Sequence, residues 1–269
     1  MPFPAPDVAS WPRHISERLL GGTDLGMALS LVEDELNALS SRLAAACGVS
    51  VGVDELRWAR GTLLSRRFYP AVGEPKCGAS GLVGVLIPLL DELNHSPKAR
   101  VSLQHDGEFV SLRNPCAYNA GEEVYSDYGS DKSNEELLAM YGFALPSNPA
   151  DAVSILLCPP AGPPVRHTLG RSGVTPELWA TLLGEEEGDV HELFAVTTLR
   201  SALVQKLAAL DTAEPAAAEF AQALGDRGTY ATLYRRGIRE VLIATIAECD
   251  EMAEMLADSA SDSDGMSSS

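Results

Sequence analysis

Cysteine is scarce and scattered. The five cysteines (Cys47, Cys77, Cys116, Cys158 and Cys249) are odd in number and never spaced as CxxC. That argues against a disulfide framework and against a zinc site, and it fits a reducing, intracellular compartment. Positive charge is scarce as well, with 20 Lys and Arg against 38 Asp and Glu and a net charge of -18. Such a surface repels phosphate backbones, so nucleic acid is not an expected partner and a basic protein segment is a more natural one. Plain solubility would account for the same charge. No apolar run approaches the roughly 20 residues that span a bilayer, so no membrane association is expected. Residues 1–11 lack the basic and apolar regions of a signal peptide. There is no internal repeat. With 45% hydrophobic residues over 269 positions, the chain can bury a sizeable core in one or two domains. It is expected to be a monomer.

The apolar periodicity predicts a proline-rich, extended lead-in over 1–13. A helix follows over 24–47 (Met27, Leu31, Leu36, Leu39, Leu43), and another over 54–65 with Asp54 as N-cap. Gly21-Gly22 reads as a turn, and 70–81 as loop. The run Leu82-Val83-Gly84-Val85-Leu86-Ile87-Pro88-Leu89-Leu90 reads as a buried strand. Strands over 100–104 and 108–112 flank an Asp106-Gly107 hairpin turn, and 123–126 reads as a further strand. Ser133 and Glu136 form a capping box for a helix that Gly142 closes. The Pro/Gly-rich stretch around 159–164 reads as a domain boundary. Helices are expected beyond it over 176–183 (with Thr175 as cap), 190–210, 215–224 and 229–257. The Ser/Asp-rich segment 258–269 is expected to be disordered.

Two segments can carry chemistry. One is Asp91-Glu92-Leu93-Asn94-His95-Ser96, directly after the apolar run. The other is Gly121-Glu122-Glu123-Val124-Tyr125-Ser126-Asp127-Tyr128-Gly129, followed by Lys132-Ser133-Asn134 and Tyr141-Gly142-Phe143. Polar side chains at the end of a buried strand are held rigidly enough to serve a site. Asn and Asp are also ordinary turn residues, and on composition alone that reading is the stronger. His14, His105, His167 and His191 fall on no motif, and Tyr125 reads as structural.

Taken together, Asn94-His95-Ser96, the Gly-Glu-Glu-Val segment, Tyr128-Gly129 and the Lys-Ser-Asn run resemble the C-terminal half of a SET domain. More narrowly, they are similar to the Rubisco large-subunit methyltransferase family, which also includes actin-histidine methyltransferases. Arg57-Trp58-Ala59 with Ser65-Arg66 resembles that family's helical insert. The resemblance implies an α+β fold, with a C-terminal SET half and its helical insert followed by an all-α substrate-binding domain. It divides the chain into 1–75 (lead-in and insert), 76–152 (SET half), 164–257 (helical domain) and the tail 258–269. It implies S-adenosylmethionine as cofactor, no metal, and a lysine-bearing protein as substrate. Asn94, His95, Tyr128 and Tyr141 match cofactor-binding positions, and Tyr128 the catalytic tyrosine. Ser65, Arg66, Asp91 and Tyr141 match positions that place the substrate, Ser65 lying also near the cofactor. The family's opening strand pair with its glycine motif has no counterpart before the insert. The chain is therefore expected to be truncated or to have lost part of the cofactor pocket.

The residue types suit such chemistry. Methyl transfer from a sulfonium is an in-line displacement that needs alignment of amine and methyl. The attacking lysine must be neutral, and a narrow, dry, aromatic channel disfavours the ammonium. Before deprotonation the same aromatic faces hold the cation. Histidine methylation and a catalytically inactive protein-binding module are the alternatives.

Overall fold

The computed structural model describes residues 7–68, 84–105, 108–158, 162–183 and 189–266. The fold is α+β, and the chain divides into two compact units. The first unit comprises residues 1–10, 34–132 and 139–142, and the second residues 11–33, 133–138 and 143–269.

In the first unit, residues 7–10 do not extend as a lead-in. A 3-10 turn, Val8–Ser10, buries Val8, and Asp7 accepts an ion pair from Arg60 at 3.2 Å. Helix α2 spans Asp24–Cys47, the limits its periodicity marks, with its residues from Asp34 on in this unit, and Gly48 follows at φ 66°. Helix α3 (Val53–Arg66) starts one residue earlier than expected. Gly52 is its N-cap, and the Gly52 N–H donates to Glu55 Oε2 at 2.9 Å. Asp54 lies in the first turn instead, where its charge suits the helix dipole, and it pairs with Arg57.

Strand β1 (Arg67–Phe68) pairs antiparallel with β2 (Val85–Leu86). The long buried strand expected over 82–90 is thus only two residues of ladder within its described part, with residues 82–83 outside it. Leu86 is 49% and Leu89 82% exposed, and Leu89 sits at φ 76° before a 3-10 turn, Leu90–Glu92. Pro88 has no N–H to continue a ladder, and an apolar run carries no information about what would cover it. Strands β3 (Ser102–His105) and β4 (Val110–Arg113) form an antiparallel hairpin with Leu103 opposite Leu112. The Asp106-Gly107 turn lies outside the described residues. The strand expected over 123–126 is not formed. Ser126 alone makes a parallel bridge to His95, its N–H donating to Asn94 O at 2.8 Å and its carbonyl accepting from Ser96 N at 3.0 Å.

In the second unit, Pro12 precedes an unanticipated helix α1 (Arg13–Leu19), which buries Ile15 and Leu19 beside the buried Trp11 and Leu20. Proline there is harmless, because the first helical N–H groups have no intrahelical partner. Helix α4 (Asn134–Tyr141), whose residues from Ala139 on belong to the first unit, carries the expected capping box. Ser133 N–H and Oγ–H donate to Glu136 Oε2 at 2.9 and 3.0 Å, and Glu136 N–H returns to Ser133 Oγ at 3.3 Å. Strands β5 (Ala152–Leu157) and β6 (Val165–Gly170) pair antiparallel, burying Val153, Ile155, Leu157 and Leu169. Residues 159–164 therefore join two paired strands, and the region after 164 opens on a strand rather than a helix. Pro/Gly clusters punctuate hairpins as well as linkers.

Helix α5 (Pro176–Leu183) matches expectation, with Leu178 N–H donating to Thr175 Oγ1 at 3.3 Å. Helix α6 (Asp189–Ala221) runs unbroken through Pro215, where two helices are expected. Helix α7 (Asp226–Met266) bridges that position, Arg235 pairing with Glu214 at 2.7 Å and Arg239 with Asp211. The Arg235 guanidinium is almost fully buried and also donates to the Gly21 and Leu210 carbonyls at 2.6 and 2.8 Å. This packing outweighs the local cost of the proline. Leu199, Leu203 and Leu210 of α6 are buried, as are Tyr234, Val241 and Leu242 of α7. Within α6, His191–Ala221 is long and apolar enough to cross a membrane, with a mean hydropathy of 1.3 over 18 residues, contrary to the expectation that no such run exists. It packs along α7, with 28% of that 18-residue stretch buried. The tail expected to be disordered from 258 continues α7 as helix to Met266, since no proline or capping glycine intervenes before Gly265.

Candidate active site

A cavity of about 200 Å³ lies in the first unit. Ser65 and Arg66 reach it from the last turn of α3, Asp91 from the 3-10 turn after β2, Tyr128 from the loop after Ser126, and Tyr141 from the end of α4. Five of the residues singled out from sequence thus line one cavity. Asn94 and His95 are not among its lining residues.

Tyr128 is held on three sides. Its hydroxyl donates to the Leu93 carbonyl at 2.6 Å, and its backbone N–H donates to His95 Nδ1 at 3.1 Å. Its ring lies between those of His95 and Tyr141, with centroids 5.2 and 4.6 Å away. Burial pushes the phenol above its ordinary value; Arg66 opposes this, while Asp91 and Glu92 add to it. The group is therefore a neutral donor at pH 7.

Arg66 organises the opposite edge. It donates to the Asp91 carbonyl and to Asp91 Oδ2, each at 3.2 Å, and to Glu92 Oε1 at 2.8 Å. Burial pulls the guanidinium down, but Asp91 and Glu92 together hold it above its ordinary value, so it stays charged. The Asn94 amide donates to Glu123 Oε1 at 2.6 Å, and Tyr125 donates its hydroxyl to Glu123 Oε2 at 2.8 Å. The Asn94 and Tyr125 bonds hold the Glu123 carboxyl below its usual range.

Sequence reasoning missed Phe68, Leu90, Asp127 and Lys132, which also line the cavity. Asp127 and Lys132 lie inside the segment already singled out, so proximity to Tyr128 was the available signal. Phe68 and Leu90 carried none. Asn134, part of the Lys-Ser-Asn run, does something else, within the second unit. It is buried, its N–H donates to Asp151 Oδ1 at 3.0 Å, and its side chain bonds both ways with the Leu145 backbone.

The chain shares the fold of a solved SET domain. It matches the crystal structure of the Rubisco large-subunit methyltransferase SET domain bound to methyl-lysine and AdoHcy, with a TM-score of 0.75 at 18% identity, covering 95% of this chain and 70% of that one. By sequence it is similar, over part of its length, to proteins named lysine N-methyltransferases. It is 42% identical over 74 residues to the ribosomal lysine N-methyltransferase set10 of Schizosaccharomyces pombe, covering 26% of this chain and 13% of that protein. It is 37% identical over 109 residues to the chloroplastic fructose-bisphosphate aldolase-lysine N-methyltransferase of Arabidopsis thaliana, covering 37% of this chain and 21% of that protein. The matches therefore span about a fifth or less of those relatives' length. No family model matches the chain.

Proposed function

We propose that this chain carries the methyl-transfer half of an S-adenosylmethionine-dependent protein-lysine N-methyltransferase acting on a non-histone protein. The observation that carries the reading is Tyr128, its ring against those of His95 and Tyr141, on a small cavity that Arg66 and Asp91 also line. Both relatives are named lysine N-methyltransferases, one ribosomal and one chloroplastic, which supports a protein substrate and an intracellular setting.

The lining suits the reacting groups. The aromatic faces of Tyr128 and Tyr141 can hold a cation before it reacts, while Arg66, Arg67 and Lys132 on the same lining offset the Asp91 and Asp127 carboxylates and favour the neutral amine. About 200 Å³ is below the roughly 300–1,000 Å³ of a site that encloses a drug-sized molecule, so the cavity fits the amine and methyl end of the ligands. S-adenosylmethionine, when bound, supplies an electrophilic methyl group. Asn94 and the backbone around His95 would hold it, beside Tyr128 and Tyr141. Tyr128 and Tyr141 exclude water and favour the neutral amine. Arg66 fixes the Asp91 carboxylate at the edge where a substrate backbone would enter, with Ser65 beside it. The division into a SET half and a helical substrate-binding domain belongs to the same reading, as does a monomeric state.

Calorimetric titration of the chain with S-adenosylmethionine tests the cofactor, with Asn94→Ala expected to abolish binding. Unchanged affinity in that variant removes Asn94 from the site. Labelled-methyl transfer to lysine-bearing against histidine-bearing peptides then separates the lysine reading from histidine methylation.

A further inference from the structure

The resemblance assigns His95 to the cofactor, yet its imidazole is turned inward. The side chain is only 2% exposed, and its ring packs on Tyr128. Nδ1 lies 3.1 Å from the Tyr128 backbone nitrogen, which can only donate. The backbone on either side is pinned as well: Ser126 N–H bonds Asn94 O, and Ser96 N–H bonds Ser126 O. His95 and Tyr128 thus approach each other across a bridge that leaves the imidazole little freedom to swing away.

Resting on the reading of Tyr128 as the residue at the reacting centre, we propose that the His95 side chain is a positioning residue. Its Nδ1 accepts the Tyr128 N–H, so the ring fixes that backbone and, through it, the phenol, in the neutral tautomer that carries its proton on Nε2. The bonding logic is restrictive. A proton on Nδ1 would set donor against donor, so both the other tautomer and the imidazolium break the contact. The groups that face the ring act in opposite directions. Burial and Lys132 favour the neutral ring, while Asp127 (Oδ1 3.9 Å from Nδ1) and the Ser126 carbonyl favour the charged one. Burial is the largest of these and keeps the imidazole below its ordinary value, which preserves an acceptor at neutral pH.

Geometry also selects the substitutions. An asparagine places its Oδ1 where Nδ1 stands and can accept the same N–H. A glutamine reaches instead toward the Nε2 position, and a leucine offers no acceptor at all.

The test uses the full chain without added ligand. Long-range proton–nitrogen correlation spectra at pH 7.5 report the His95 tautomer, and amide hydrogen exchange reports the Tyr128 N–H. The expected result is an unprotonated Nδ1, with Tyr128 protection falling tenfold or more in His95→Leu and His95→Gln and retained in His95→Asn. A proton on Nδ1 in the unaltered chain overturns the proposal. So does Tyr128 protection that is unchanged in His95→Leu, or lost equally in His95→Asn and His95→Leu. The tautomer measurement needs no variant and decides the matter even if a substitution unfolds the chain. Neither readout depends on methyl transfer. A chain that fails to bind S-adenosylmethionine while keeping this tautomer and protection refutes the functional reading and leaves the positioning role standing.

Discussion

Replacing Tyr128 by phenylalanine removes one oxygen and keeps the ring stack on His95 and Tyr141. Two effects separate. The lost bond is the 2.6 Å hydroxyl donation to the Leu93 carbonyl. A neutral hydrogen bond contributes about 1 kcal/mol net, and a carbonyl left without its partner raises the loss to about 1–3 kcal/mol of folding stability. The second effect is on rate. With its proton given to the Leu93 carbonyl, the phenol oxygen acts on the reacting groups as a fixed acceptor, and removing a preorganised polar group at a reacting centre costs about 2.7–4 kcal/mol, a rate loss on the order of a hundredfold or more. Cofactor affinity should change by less than about 1 kcal/mol, because the aromatic face remains. The assay is transfer of labelled methyl from S-adenosylmethionine to a lysine peptide, with affinity by calorimetry and stability by urea unfolding on the same sample. Methylation by Tyr128→Phe at the rate of the unaltered chain would refute the reasoning and make the tyrosine structural.

Tyr141→Phe should be milder in rate and alter how many methyl groups are added, read by mass spectrometry of the product. Gly237→Ala should be strongly destabilising, because a Cβ there would lie 2.1 Å from Asp151 Oδ2, the carboxylate that caps α4 through Asn134. Urea unfolding should register a loss of about 3 kcal/mol or more, and a loss under about 1 kcal/mol would contradict the geometry. Burial pushes the Asp7 carboxyl from 3.8 up to about 6, against the pull of Arg60 and Arg57. The charged form is thus the costly one: its contribution to stability is full below pH 3.8 and is lost as pH rises through about 6. Asp7→Asn should flatten that dependence and gain about 1–3 kcal/mol at pH 7, the Arg60 ion pair offsetting the upper figure. Unfolding free energies measured across pH 4–8 check it.

What was legible follows from where the determining contacts lie. Helix α2, helix α5 and the capping box of α4 are specified by residues within one or two turns of each other, so their limits could be read directly. The unbroken α6 could not, since what carries it through Pro215 is Arg235 and Arg239 on another helix. The strand read at 82–90 and the one at 123–126 failed for a related reason: a strand exists only if another pairs with it, and no local pattern names the partner. In the site, Ser65, Arg66, Asp91, Tyr128 and Tyr141 were identified by motif and line one cavity. The motif did not distinguish the task of each neighbour. Asn134 sits in the same run of letters as Tyr128, yet its N–H is capped by Asp151 and its side chain pins the Leu145 backbone. Glu123, inside the segment singled out, was given no role of its own, although it accepts the amide of Asn94.

The apolar length of α6 has a consequence for biosynthesis. The helix emerges from the ribosome before α7, whose 41 residues supply its partner face. At about 5–20 residues per second, α6 waits roughly 2–8 seconds without its α7 partner, while α1, which also packs on it, is already made. During that interval the nascent chain presents a segment that a membrane-insertion machine or a holdase chaperone would accept. The order of synthesis therefore makes completion of α7 the step that completes the packing of α6.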